Sequence, residues 1–136
     1  YEGVVDPAST AASCARGAMR DPRYPSVLDS ERGSLELELS VFGLWRPMKD
    51  AMDFRPGFDS LLVRRGRDVT ILQAPVAAER GYERSDFLER LSLKAGLGAE
   101  GWRGEGLVFM RAATIWSRRD LVDIEASPAY QKNEKK

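Results

Sequence analysis

Residues 34 to 42 read Ser-Leu-Glu-Leu-Glu-Leu-Ser-Val-Phe. Leu35, Leu37, Leu39 and Val41 alternate without a break with Glu36, Glu38 and Ser40. A period of two belongs to a strand, whose successive side chains point to opposite faces. The pattern predicts a strand over 34–42 with Leu35, Leu37, Leu39 and Val41 buried and the two glutamates on the other face. The chain therefore contains a sheet, and the other segments must supply its neighbours.

Residues 6–20 read as a helix. Asp6 is a cap candidate, Pro7 suits the first turn, and Ala8, Ala11, Ala12, Ala15, Ala18 and Met19 form a small-residue face. Asp21-Pro22-Arg23-Tyr24-Pro25 ends it, because proline cannot continue a helix. Residues 43–57, with Pro47 and Pro56, read as a loop whose Leu44, Trp45, Met48, Met52 and Phe54 pack down. Ser60–Arg64 and Asp68–Leu72 read as a hairpin around Arg65-Gly66-Arg67. Pro75 opens a short helix over Val76–Arg80, closed by Gly81. Residues 85–95 read as a helix capped by Ser85, with Phe87, Leu88, Leu91 and Ala95 on its apolar face and an end at Lys94 and Gly96. A glycine-rich loop over 96–106 precedes a last strand, Leu107–Trp116, and a polar tail follows from Ser117, with disorder expected over its last residues. Helices and strands do not alternate regularly, which predicts an α+β fold with a mostly antiparallel sheet and packed helices.

Composition narrows the chemistry. The chain has no histidine and one cysteine, Cys14. Within these residues no Ser-His-Asp or Cys-His mechanism and no structural zinc site can be built. A carboxylate-only cation site stays open, but no EF-hand loop is present, and no metal is expected. A single cysteine forms no internal disulfide, which points to the reducing cytoplasm. No apolar run is long enough to span a bilayer, so no membrane association is expected. The 21 basic and 21 acidic residues balance, so no nucleic-acid partner is expected. The glycines at 96, 98, 101, 104 and 106 match neither the P-loop nor the dinucleotide fingerprint, so no cofactor is expected.

Several side-chain groups remain. Cys14 has no base beside it in sequence and reads as a small buried thiol. Arg64-Arg65-Gly66-Arg67 reads as a solubilising hairpin tip rather than a phosphate site. Glu36, Glu38 and Ser40 share one strand face, either a solvated surface or a place to hold a cation. Asp21-Pro22-Arg23-Tyr24 is a rigid turn offering an acid, a guanidinium and a phenol, either a salt-bridged helix stop or an anion grip. The candidate binding residues are Asp21, Arg23, Glu38 and Ser40, with Arg23 and Glu38 expected to meet at the edge of a concave pocket.

The segments Asp21–Pro25, Leu37–Val41, Leu61–Gly66, Pro75–Tyr82 and Phe87–Leu97, with Trp102, resemble the AMMECR domain in order and spacing over residues 8 to 116. In bacteria that family is called AmmeMemoRadiSam system protein A. The resemblance implies a larger and a smaller subdomain around a central sheet, a cytoplasmic protein, and Memo-like and radical SAM proteins as partners. The family's Leu-Arg-Gly-Cys-Ile-Gly motif, upstream of the first helix, is absent here, and Phe58-Asp59-Ser60 stand where a His-Gly pair is usual. The chain opens at Tyr1 rather than Met, so residues 1–116 are expected to be a single AMMECR-like domain lacking its N-terminal segment, and 117–136 a polar tail. The resemblance names no reaction. It implies a component of a Memo and radical SAM modification system, either catalytic or substrate-holding; the alternative is a non-catalytic, protein-binding adaptor.

Overall fold

A computed structural model describes residues 7–126 and residue 128. In chain order the elements are helix α1 (Pro7–Met19), a 3-10 helix (Asp29–Ser34), and strands β1 (Glu36–Phe42), β2 (Arg46–Pro47), β3 (Asp59–Arg65) and β4 (Asp68–Leu72). Helices α2 (Ala74–Arg80) and α3 (Arg84–Lys94), a 3-10 helix (Ala99–Arg103), strand β5 (Leu107–Asp120) and helix α4 (Leu121–Glu125) follow. The sheet order is β1-β5-β3-β4, with β2 also paired to β5. β3 is antiparallel to both neighbours, with Leu61 opposite Leu72 in β4 and Arg111 in β5. The fold is α+β, as the irregular order of elements predicts.

The chain divides into two compact units, Ser40–Trp116 and Tyr1–Leu39 with Ser117–Lys136. In the first, Leu61 and Val63 of β3 and Leu72 of β4 meet Phe54, Phe87, Leu88, Leu91 and Trp102 in one core. Phe87, Leu88 and Leu91 are fully buried because they share one stripe of α3. Each such side chain contributes roughly 1.5–3 kcal/mol by leaving water. The β3–β4 hairpin turns at Gly66, whose φ of 61° is open to glycine at little cost. α3 stops at Gly96, also left-handed, where the N–H groups of Gly96 and Leu97 donate to the carbonyls of Leu93 and Ser92. α2 ends before Gly81, as expected.

The start of α3 differs from the sequence reading. Glu83, not Ser85, is the N-cap, and its N–H donates to Asp86 Oδ2 at 3.0 Å. The acid three residues on completes this cap, which a search for the best single cap residue overlooks. The 43–57 segment packs down through Phe54 and Met48, while Leu44 and Met52 stay exposed.

β1 and the smaller unit depart further. Residues 36–42 are a strand, but Leu37, Leu39 and Val41 are 43%, 48% and 57% exposed. Their expected burial is not found. Alternation reports which side chains share a face; it does not supply a layer to cover that face. β5 runs past Trp116 to Asp120 and passes into α4, where a polar tail was expected. The polar residues there are held by pairing: Arg118 Nη2 donates to Glu38 Oε2 at 2.6 Å, and Leu121 N–H donates to Leu35 O at 2.8 Å. Cys14 is exposed, not buried, and of the α1 alanines Ala11 and Ala15 are half-buried while Ala12 and Ala18 are exposed. Asp6 and residues 131–136 lie outside the described residues.

Phe87→Ala is expected to lower stability by about 3–5 kcal/mol, because it opens a cavity in a fully packed core. Chemical denaturation followed by tryptophan fluorescence measures it, and a loss below about 1 kcal/mol would place Phe87 outside the core.

Candidate functional site

The turn after α1 is built around one carboxylate. Asp21 Oδ1 accepts the backbone N–H of Arg23 at 3.0 Å, which closes the turn on its own side chain. The same carboxylate takes the guanidinium side-on, from Nε at 3.0 and 3.1 Å and from Nη2 at 2.6 Å. Hydrogen bonds from the Arg23 side chain, and then from its backbone N–H, lower the Asp21 carboxyl from its ordinary 3.8 to about 2. The Arg23 side chain is nevertheless 77% exposed. It lies 5.8 Å from the ring of Tyr24, itself 69% exposed.

Glu38 has a different partner. Its carboxylate pairs with Arg118, which also stands 4.0 Å from Glu36. Among the described residues no hydrogen bond or ion pair joins Arg23 to Glu38: the structure pairs each with a nearer opposite charge. Ser40 is half-buried, and its Oγ has no hydrogen-bond partner. Arg64, Arg65 and Arg67 form an exposed hairpin tip.

A second polar group escaped the sequence reading. Asp59, 1% exposed, opens β3. Its Oδ2 accepts the Arg55 N–H at 2.8 Å and lies 3.5 Å from both Arg55 Nε and Arg111 Nη1. Arg111 Nη2 also stands 3.7 Å from Asp53, while its Nε is buried without a hydrogen bond. Next to Asp59, Ser60 Oγ accepts the Ala74 N–H at 2.9 Å and lies 2.7 Å from Thr114 Oγ1. Thr114 donates its one proton to Ala112 O at 3.0 Å, so Ser60 is the donor between the two hydroxyls. The chain of bonds ties α2, β3 and β5 together with every hydroxyl satisfied. The available signal was two polar residues, Asp59 and Ser60, opening a strand whose next three residues are apolar. Such residues in a buried strand must find partners.

These groups position backbone and hold charge. Among the described residues no group of three or more Cys, Asp or Glu side chains is placed to hold a metal. No helix among them is long and apolar enough to cross a membrane.

An antiparallel sheet carrying the α2–α3 pair on the β3–β4 hairpin defines the class: an α+β protein with its core on one side of that hairpin. Residues 6–113 match the sequence pattern of AMMECR1, and the chain belongs to the AMMECR1 family. A protein of Methanocella arvoryzae is 29% identical over 106 residues, covering 74% of this chain and 50% of its own length. Protein MJ0810 of Methanocaldococcus jannaschii is 30% identical over 100 residues, 69% of this chain and 50% of that protein. A Methanothermobacter thermautotrophicus protein is 36% identical over 93 residues, 64% of this chain and 47% of that protein. The chain thus spans about half the length of these relatives. The crystal structure of the uncharacterized protein PH0010 from Pyrococcus horikoshii shares the fold with a TM-score of 0.71 at 24% identity, over 79% of this chain and 56% of that one.

Two outcomes follow from the geometry. The Asp21 carboxyl is expected to titrate with a midpoint near 2, and in Arg23→Ala to return toward 3.8. Because the folded value lies below the ordinary one, the turn's contribution to stability is complete above 3.8 and lost as pH falls through about 2. Carboxyl carbon NMR shifts measure this directly. Asp59→Ala is expected to destabilise by about 3 kcal/mol, since it removes the buried acceptor of the Arg55 N–H and leaves the half-buried Arg111 with Asp53 alone. Thermal unfolding of the variant tests it.

Proposed function

We propose that this chain is a polypeptide-binding, non-catalytic AMMECR component of a modification system, acting beside a Memo-like protein and a radical SAM protein. The system is what the family resemblance implies. The binding role rests on one observation: the Asp21–Tyr24 turn holds Arg23 rigid through Asp21 while leaving Arg23 and Tyr24 exposed. Arginine and tyrosine dominate binding energy at protein interfaces. An arginine already held by its neighbour loses little further freedom when a partner closes over it.

The same geometry disfavours catalysis at this turn. A carboxyl held near 2 is a weak base at neutral pH, since efficient general bases titrate near the operating pH. Of the four candidate positions, Asp21 and Arg23 carry the reading; Glu38 is engaged by Arg118.

Titration calorimetry with a purified Memo-like protein, and separately with a radical SAM protein, tests the proposal. Arg23→Ala is expected to weaken binding at least about 10-fold while lowering the melting temperature only slightly, because the side chain is exposed and its pair with Asp21 is screened by water. A lower melting temperature with unaltered binding would make the turn purely structural, and no binding of either protein by the unaltered chain would remove the proposed partners.

A further inference from the structure

The β3–β4 hairpin leaves one edge of the sheet unpaired. β4 is the last strand in the order β1-β5-β3-β4, so β3 alone lies beside it. The turn consists of Gly66 and Arg67, between the paired Arg65 and Asp68, and Gly66 is left-handed while Arg67 is not. A hairpin of this kind closes on a hydrogen-bonded pair, and bonded pairs then alternate with non-bonded ones along the ladder. Arg65–Asp68, Val63–Thr70 and Leu61–Leu72 are the bonded pairs, so the N–H and C=O groups of Val69 and Ile71 point away from β3. Lys94 of α3 confirms the direction, since its Nζ donates to Ile71 O at 2.7 Å. Among the described residues the other three of those four groups have no hydrogen-bond partner.

That edge borders a hollow of about 400 Å³ lined by Phe42, Val69, Thr70, Ile71, Gln73 and Lys94, all in the Ser40–Trp116 unit. Phe42 ends β1, the strand at the opposite end of the sheet order, and Val69 is 53% exposed. Apolar side chains thus flank the open backbone. The charge along it is one-sided. Arg64, Arg65 and Arg67 are exposed, and among the described residues none of them is in an ion pair, not even with Asp68 across from Arg65. Asp68 is the one acid between Arg64 and Gln73. Lys94 spends one of its three donors on Ile71 O and keeps the others.

Open edges are commonly protected by being short or by carrying a lysine, and β4 is five residues long with Lys94 upon it. Lys94 covers one main-chain group of the four, however, and guanidinium groups without partners attract an anionic chain instead of repelling every chain. We propose that the outer edge of β4 binds an extended, acidic polypeptide segment by strand addition. The segment's main chain pairs with Val69 and Ile71, its N–H replacing Lys94 at Ile71 O. Its carboxylates are taken by the released Lys94 and by the arginines of the turn. Main-chain pairing supplies affinity, and the charges select an acidic chain. The site does not rest on the Arg23–Tyr24 contact proposed above, so each stands or falls alone.

The test uses the isotopically labelled 136-residue chain and a synthetic peptide of alternating glutamate and valine. Fluorescence anisotropy follows binding, and NMR follows amide exchange. On binding, the amides of Val69 and Ile71 are expected to slow at least about 10-fold, while those of Asp68 and Thr70, already paired with β3, change little. A peptide N-methylated at every residue has no main-chain donor and is expected to bind at least about 10-fold more weakly. Arg64→Gln with Arg67→Gln is expected to weaken binding by about 10-fold with little change in melting temperature, and Arg23→Ala leaves peptide binding intact. No binding of the peptide would overturn the proposal. Equal binding of the N-methylated peptide would also do so, leaving a charge contact without strand addition. Tighter binding of a single-stranded oligonucleotide, with Val69 and Ile71 unprotected, would make the arginines a nucleic-acid contact instead. Concentration-dependent protection of both amides in the free chain would make a second copy the occupant.

Discussion

β3 is the strand on which the rest of the larger unit depends. It lies between β5 and β4 and is buried along most of its length, so each of its polar groups needs a partner inside the protein. Leu61 and Val63 point into the core, and Ser60 and Asp59 must be satisfied in other ways. The relay from Ala74 N–H through Ser60 and Thr114 to Ala112 O does so with one proton per hydroxyl. It also sets where α2 begins, which in turn places α3 over β4. Asp59 anchors the approach to the strand by accepting the Arg55 N–H.

Electrostatics in this protein is short-ranged and mostly local. Asp21 pairs with a residue two positions away, and Glu100 with Arg103 three positions away. The long-range pairs, Glu38 with Arg118 and Asp59 with Arg111, link strands rather than line a cleft. The exposed pairs, Asp21 with Arg23 and Glu100 with Arg103, contribute little to stability because water screens them, whereas Asp59 is buried. Their effect is to hold particular side chains in one orientation, and for Arg23 that orientation faces solvent.

Much of the larger unit was legible in the sequence. The hairpin around Gly66, the stop of α2 before Gly81 and the end of α3 at Gly96 follow from turn chemistry within a few residues. The α3 stripe of Phe87, Leu88 and Leu91 follows from helical spacing. The expected meeting of Arg23 with Glu38 is not found as a hydrogen bond or ion pair among the described residues, because each charge has another partner. Arg23 found its own in Asp21, and Glu38 found Arg118, which lies 80 residues on. Nor was the acid at Asp59 picked out, since its importance comes from burial rather than from any local pattern.

The sequence by itself determined the local elements, the turns between them and the family, because these rest on dihedral preference, periodicity and residue order within short windows. Tertiary structure alone decided which faces were covered. Leu61 and Leu37 both follow strand patterning, yet one is fully buried and the other 43% exposed. The difference lies in what packs above them. Burial is a property of two surfaces brought together, and the pattern on one strand specifies only one of the two.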